Sequence, residues 1–407
     1  MVDAAAPFAH ADFRRLQFAR IAAIVATQAQ GTAVAWDVLL RTHRPLDLGY
    51  VGLAQFVPVA GLSLIAGHAA DRIDRRRLLG LVYGVYALVA FALFAYTRTG
   101  AKEVWPIYAI LFVHATARSF GQPAGSALLP DLVPAEAFER AVAWSSSAWQ
   151  AATIIGPIVG GVLVSVVSAP IVYLGAGILS LSSVLFTTRI EKRPTRMSER
   201  GVSIESLLAG VRYVWTHQLI LGSISLDLFA VLLGGATALL PVFAENILHT
   251  GSWGLGFLRA APGLGAALSG VYLAYKPLQR HAGATMFACV AGFGLATIGF
   301  ALSENFFVSL ALLFVVGATD MVSVVVRQTL LQIETPPEMR GRVSAVNLVF
   351  VGASNELGEF ESGVTGQWLG PRVATLVGGV GTLVVVAAGM FVFPKLRRVD
   401  KLTAHAE

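Results

Sequence analysis

Apolar residues in this chain of 407 come in long runs, and polar residues in short breaks between them. The runs fall near residues 17–40, 48–69, 78–97, 104–129, 140–167, 169–188, 219–244, 252–275, 282–302, 305–331, 341–366 and 372–393. Each is about 20 residues or longer, the length an α-helix needs to cross bilayer hydrocarbon. Only helices and closed barrels satisfy their own backbone in lipid, so the pattern predicts an all-α membrane protein with twelve transmembrane helices. The shortest break, around Ser168, divides the fifth span from the sixth. The longest, 189–218, divides the chain into an N-terminal six-helix bundle (1–188) and a C-terminal six-helix bundle (219–407). Within that linker Ile204, Leu207, Leu208, Val211, Val214 and Trp215 recur at helical spacing. They predict an amphipathic helix lying on the inner membrane face.

Composition and charge add an orientation. The chain is 56% hydrophobic and 13% charged, with a mean hydropathy of +0.69, whereas soluble domains carry about 25% charged residues. Arg41, Arg44, Arg98, Lys102 and Arg372 fall on one side of the spans, and Arg118, Arg259 and Arg327 lie inside them. The rest of the 30 Lys and Arg residues gather at the termini and at the connections on the other side. By the positive-inside rule that side is cytoplasmic, which puts both termini in the cytoplasm. The net charge of +6 is thereby read as topology, and no nucleic-acid partner is expected. The single cysteine, Cys289, excludes an internal disulfide or a cysteine metal cluster, and neither metal nor cofactor is expected. Residues 1–14 include Asp3 and Asp12 and lack a basic stretch feeding a short apolar core, so no cleavable signal peptide is expected.

The two halves repeat. Pro134-Ala-Glu136 through Arg140-Ala-Val-Ala143, after span four, parallels Pro336-Pro-Glu338 through Arg342-Val-Ser-Ala345, after span ten. Leu128-Leu129 and Leu330-Leu331 hold the same offset, which predicts two structurally equivalent bundles.

Between spans two and three the chain reads Gly67-His-Ala-Ala-Asp71-Arg72-Ile-Asp74-Arg75-Arg76-Arg77. A topological signal alone needs the arginines but neither the Gly nor the Asp. The stretch resembles the Gly-x-x-x-Asp-Arg-x-Gly-Arg-Arg signature of the major facilitator superfamily of secondary transporters, with Asp74 in place of the second Gly. The resemblance implies two bundles related by an axis along the membrane normal, with the substrate site between them. It also implies a conformational latch formed by Gly67, Asp71, Arg72, Arg75 and Arg76 with Arg340 and Arg342 at the start of span eleven.

Span five carries Gly156-Pro157-Ile-Val-Gly160-Gly161. It resembles the Gly-x-x-x-Gly-Pro-x-x-Gly-Gly motif of proton-driven exporters in the superfamily, with Ala152 at the leading Gly. Proline removes a backbone hydrogen bond and the glycines admit a close neighbour, so the segment suits a helix bend or a sliding contact. Ordinary small-residue packing is the alternative. Span four places Arg118 near mid-membrane, where a charge costs about 2.5–3.5 kcal/mol on insertion scales and should face a cavity or a partner. The segment resembles exporters that have Arg at this point, although the Gly-Gln order of Gly121-Gln122 is reversed relative to them.

Five acids interrupt the C-terminal spans: Asp227, Asp320, Glu356, Glu359 and Glu361, the last pointing away from the other two on its helix by about 140°. Asp37 lies in span one, with Gln28 and Gln30 deeper. Glu356 and Glu359 share a helix face, with Asn355 adjacent. Two carboxylates close together in a low dielectric cannot both ionise cheaply, so this face is the first candidate for a coupling proton, with Asp320, Asp227 and Asp37 after it. Arg259 and Arg327 are the available counter-ions, and a static salt-bridge network is the alternative. Arg118, Gln28, Gln30, Asn355, Arg259 and Arg327 are the candidates for lining a substrate cavity.

Over residues 13–395 the chain is similar to the exporter branch of the superfamily that includes the enterobactin exporter. That implies a proton-coupled efflux transporter in the cytoplasmic (inner) membrane, a monomer in contact with lipid. Its substrate would be a small amphipathic compound such as a siderophore, drug or natural product. A proton-linked importer, or a non-transporting receptor or scaffold on the same fold, stays open. Enzyme motifs such as His-Glu-x-x-His, Gly-x-Ser-x-Gly and a phosphate loop are absent from the sequence. The charge distribution makes a direct prediction. A reporter fused after Arg196 should report a cytoplasmic site and one fused after Lys102 an external site; reversal of both would invert the orientation.

Overall fold

Where the helices begin and end follows from local chemistry. The computed structural model describes residues 6–191, 204–278 and 280–400, with the side chains of residues 63–72, 204–207 and 353 outside that description. In the first half the long helices are α1 (Ala11–Thr42), α2 (Pro45–Arg72), α3 (Arg75–Arg98), α4 (Trp105–Leu128), α5 (Ala135–Val166) and α6 (Ala169–Thr188). The linker helix is α7 (Ile204–Thr216). The seventh span starts as α8 (Gln218–Gly234), breaks at Gly235, and continues through a short turn, α9 (Leu240–Val242) and a wide turn to Ile247. Then come α10 (Gly251–Tyr275), α11 (Ala282–Leu302), α12 (Phe306–Glu334), α13 (Pro337–Leu369), α14 (Pro371–Val392) and the single turn α15 (Pro394–Arg397). The twelve long helices expected from the apolar runs are thus present among the described residues.

Eight of them are long and apolar enough to cross a membrane on length and composition alone. Three of the others, α1, α4 and α13, carry the polar residues singled out above: Gln28 and Asp37, Arg118, and Glu356 and Glu359. Asp74 stands immediately before α3 and accepts hydrogen bonds from the backbone amides of Arg76 (3.0 Å) and Arg77 (3.2 Å). The residue that departs from the superfamily signature is therefore a helix cap, satisfying two amides that have no partner inside the helix. Asn305 does the same for α12, accepting from Phe307 and Val308. The repeated loops behave alike, because Pro134 and Pro336 each occupy extended backbone directly before α5 and α13.

The chain forms two compact units. The first comprises residues 1–43, 54–202 and 251–257, and the second 44–53, 203–250 and 258–407. In the first, α1 packs on α5 and α6, and α3 packs on α4 and α6. In the second, α8 packs on α13 and α14, and α11 packs on α12 and α14. These are the same four pairings under the repeat, so each half buries its apolar stripe by the same route. Phe13, Leu16, Leu79, Val82, Leu128 and Leu132 centre the first core. Leu226, Met286, Phe287, Val290, Val326 and Leu330 centre the second.

Part of the apolar face of the linker helix packs on a neighbouring helix. Val211 and Val214 pack with Met339, Val343 and Val346 of α13, and the Tyr213 hydroxyl donates to the carbonyl of Glu334 at 3.0 Å. Leu208 and Trp215 stay more than half exposed, so only part of the apolar face is left for lipid. Amphipathic spacing cannot distinguish lipid from a neighbouring helix, because both offer an apolar surface.

Two close helix contacts depend on glycine. A Cβ on Gly161 of α5 would stand 2.8 Å from the Cα of Gly256 in α10, and one on Gly256 would stand 2.6 Å from the carbonyl of Pro157. In the second unit a Cβ on Gly363 of α13 would stand 2.5 Å from the Cα of Gly49 in α2. Backbone meets backbone at both places, and no side chain can rotate to make room. Gly161→Val should therefore cost about 1–3 kcal/mol and lower the thermal midpoint in detergent by a few degrees. Gly84→Val, where an added methyl meets nothing within 4 Å, should leave the midpoint in place; equal midpoints for both variants would refute the close contact.

Candidate functional site

The acids that the sequence presents as one series separate into two groups in the second unit. In the first group, Asp227 on α8 and Arg327 on α12 form a direct ion pair, 4% and 2% exposed. Asp320 lies one face along α12 from Arg327, because seven residues return a helix to within about 20° of its starting direction. It interacts electrostatically with both Asp227 and Arg327. Ser323 lies between them on the same face, 2% exposed, and its hydroxyl has no hydrogen-bond partner; neither has Nε of Arg327. A cavity with room for about one water molecule opens here, lined by Asp227, Thr319, Asp320, Ser323 and Phe293.

The second group is on α13. Gly52 of α2 presses against it: a Cβ there would stand 2.8 Å from Cβ and 3.1 Å from a carboxylate oxygen of Glu359, and 3.1 Å from the carbonyl of Glu356. Arg259 of α10 lies in electrostatic range of Glu359. Of the two arginines expected as counter-ions, Arg327 contacts Asp227 directly and Arg259 lies in electrostatic range of Glu359. Asn355 is exposed. Close by on α13, the Ser362 hydroxyl donates to the carbonyl of Gly235 at 2.7 Å, satisfying a carbonyl that the break in the seventh span leaves without its helical partner.

In the first unit Asp37 lies at the C-terminal end of α1. It pairs with Arg41 at 3.0 Å and accepts from the Tyr173 hydroxyl at 3.5 Å. Arg41 also donates to the carbonyl of Ala101 and stands 5.7 Å from the ring centre of Tyr96. This network ties α1 to α6 and to the α3–α4 connection. Gln28 packs against Gly156, Ala29 against Gly160, and Gln30 is buried. The glycines of span five therefore seat α5 on α1 through Gly156 and Gly160, and on α10 through Gly161.

Arg118 is exposed on the surface of α4 and acts electrostatically on Tyr86 and His114. His114, one turn before it, is 7% exposed, has no hydrogen-bond partner on either ring nitrogen, and lies 4.7 Å from the ring of Tyr86. Sequence reasoning missed His114, Tyr86 and Ser323. The signals were available: a His four residues before Arg118 in an apolar run, and Asp320, Ser323 and Arg327 at i, i+3 and i+7.

The charged connection acts within the first unit. Arg75 donates to Asp131 at 2.9 Å and to the carbonyl of Ala127 at 2.8 Å, while Arg76 donates to the carbonyl of Ile190 at 2.6 Å. Together they fasten the start of α3 to the ends of α4 and α6. Arg340 donates to the carbonyl of Thr335 and Arg342 to the sulfur of Met339. The side chains of Gly67, Asp71 and Arg72, expected to form the latch with them, lie outside the described residues.

Twelve long helices in two repeated bundles, with charge pairs sunk into the spans, define a membrane transporter of the major facilitator superfamily. The model of the transmembrane secretion effector family matches residues 2–407, and the chain belongs to that family. It is 26% identical to the enterobactin exporter EntS of Escherichia coli O1:K1 / APEC over 96% of this chain and 93% of the exporter. Among solved structures it is similar to the nucleoside transporter NupG, with a TM-score of 0.75, 14% identity, and coverage of 94% of this chain and 99% of that one. A bacterial homologue of the human lysosomal transporter Spinster gives a TM-score of 0.74 at 12% identity, covering 95% of this chain and 98% of that one. These two show the fold.

The buried pair can be tested by itself. Asp227→Asn leaves the Arg327 charge without its partner and Arg327→Gln does the same to Asp227, each a loss of about 3–5 kcal/mol for a buried pair. Asp227→Asn combined with Arg327→Gln should recover part of that loss. Thermal unfolding of the purified variants measures the cycle, and additive losses would show that the two side chains are not coupled.

Proposed function

We propose that this protein exports a small amphipathic compound, of the siderophore, drug or natural-product kind, in exchange for protons by alternating access. The observation that carries the reading is Glu359, packed where α2 meets α13 at Gly52 and within electrostatic range of Arg259. A carboxylate in hydrocarbon is neutralised either by a cation on another helix or by a proton. When a proton takes that role Arg259 is released, and a helix-to-helix attraction becomes dependent on protonation. That is a coupling element, because it gives two helix arrangements different affinities for the proton. Glu356, on the same face, raises the cost of ionising Glu359 and favours exchange.

Export rather than import is supported by likeness to a relative named as an exporter over almost the whole chain, and by the glycine-rich stretch of span five. Arg118 is the substrate-facing candidate: an exposed guanidinium in the middle of a span offers a planar fork of donors to an acidic or hydrogen-bonding group. Basic residues favour the cytoplasmic side for both termini and for the α2–α3 connection, which puts the protein in the cytoplasmic membrane.

The test uses inside-out vesicles from a host lacking its own exporters and a panel of catecholate siderophores and hydrophobic dyes. An interior-acid gradient should drive uptake of at least one compound by the parent protein. Glu359→Gln should keep substrate counterflow and lose the pH-driven component, whereas Arg118→Ala should lose both while inserting normally. Full pH-driven uptake by Glu359→Gln would remove the coupling assignment, and full activity of Arg118→Ala would reduce Arg118 to a structural role.

A further inference from the structure

The group around Asp320 stands apart from the Glu359 group, and its charges do not balance. Asp227, Asp320 and Arg327 sum to one negative charge when ionised, and among the described residues Arg327 is the cation that acts on both carboxylates. With both carboxylates ionised, the group is one neutralising charge short. Asp320 stands midway along the 29 residues of α12, where water is scarce and an unbalanced charge is costly. Beside it the Ser323 hydroxyl is buried with no partner and borders a cavity of about one water molecule's size. Thr319 lines the same cavity, its hydroxyl sharing one proton between the carbonyls of Val315 and Val316.

We propose that Asp227, Asp320, Ser323 and Thr319 form a site for one sodium ion inside the C-terminal bundle. The donors are all hard oxygens, matched to an alkali cation and not to a soft transition metal. They are the two carboxylate oxygens of Asp320, the Asp227 oxygen not engaged by Arg327, and two hydroxyls from one face of α12. The volume admits a dehydrated ion or a single water and excludes an organic substrate. A proton on Asp320 would balance the charge equally, but it needs neither the unpartnered hydroxyl nor the cavity. Because α8 and α12 belong to the same unit, the ion would act by fixing the pairing of these two helices, a pairing that the Asp227–Arg327 ion pair already supports.

Full-length protein purified in detergent should show a thermal midpoint that rises by a few degrees with sodium chloride and then saturates, at constant ionic strength set with choline chloride and at fixed pH. Potassium at equal concentration should have a smaller effect. Asp320→Asn should abolish the sodium dependence. Ser323→Ala, which removes one oxygen and is expected to fold, should shift the half-saturating sodium concentration upward about tenfold. Equal midpoints in sodium and choline for the parent protein would overturn the site. So would a sodium response that survives both substitutions, or a response to pH alone that would leave Asp320 a simple proton carrier. The measurement is made at equilibrium without transport, so its outcome is independent of whether the chain exports, imports or couples to protons.

Discussion

Hydrocarbon offers no hydrogen-bond partner to a backbone amide or carbonyl, and the rest of this structure depends on that constraint. It forces the chain into continuous helices and makes every helix end a problem to be solved locally. Asp74 and Asn305 solve it by capping, and Pro134 and Pro336 by having no amide to satisfy. Where a span does break, at Gly235, the freed carbonyl is taken up by Ser362 of a neighbouring helix. The same scarcity of partners raises the cost of each buried side-chain charge, and Asp227 and Arg327 meet it by direct contact.

Charge pairing in the second unit follows two different logics. Asp227 and Arg327 are almost fully buried and in direct contact, which holds α8 to α12 and specifies their register. Glu359 and Arg259 act on one another where a glycine lets α2 press against α13, so that contact is sensitive to the charge of a single carboxylate. The first pair is fixed by direct contact, and the second is the one proposed above to respond to a proton. The first unit has its own pair, Asp37 with Arg41, at the end of α1, and in mid-span an exposed Arg118 that acts on the buried His114 and on Tyr86.

Glycine governs where backbones touch. Gly156, Gly160 and Gly161 fall on two sides of α5, the first two against α1 and the third against α10. Gly49 and Gly363 make the corresponding backbone contact between α2 and α13. At Gly160, Gly161, Gly49 and Gly363 backbone meets backbone directly, whereas Gly156 receives the Gln28 side chain.

The sequence by itself determined the twelve helices, the repeat of the halves and the membrane setting, because hydrophobic run length and repeat offset are properties of the chain alone. Membership of the superfamily was legible from Gly67, Asp71, Arg72, Arg75 and Arg76, and the exporter likeness from the glycine run of span five. The acids were legible too, since a carboxylate in an apolar run is conspicuous wherever it points. Partnership was not. Nothing in the order of residues assigns Arg327 to Asp227 or Arg259 to Glu359, because each partner comes from a helix distant in sequence. Nor could spacing reveal that α7 divides its apolar face between α13 and solvent or lipid, or that Asp74 spends its carboxylate on a cap. Tertiary structure decided those points, for a physical reason: charge and hydrogen-bond energies depend on separations of a few ångströms that only the packing of one helix on another creates.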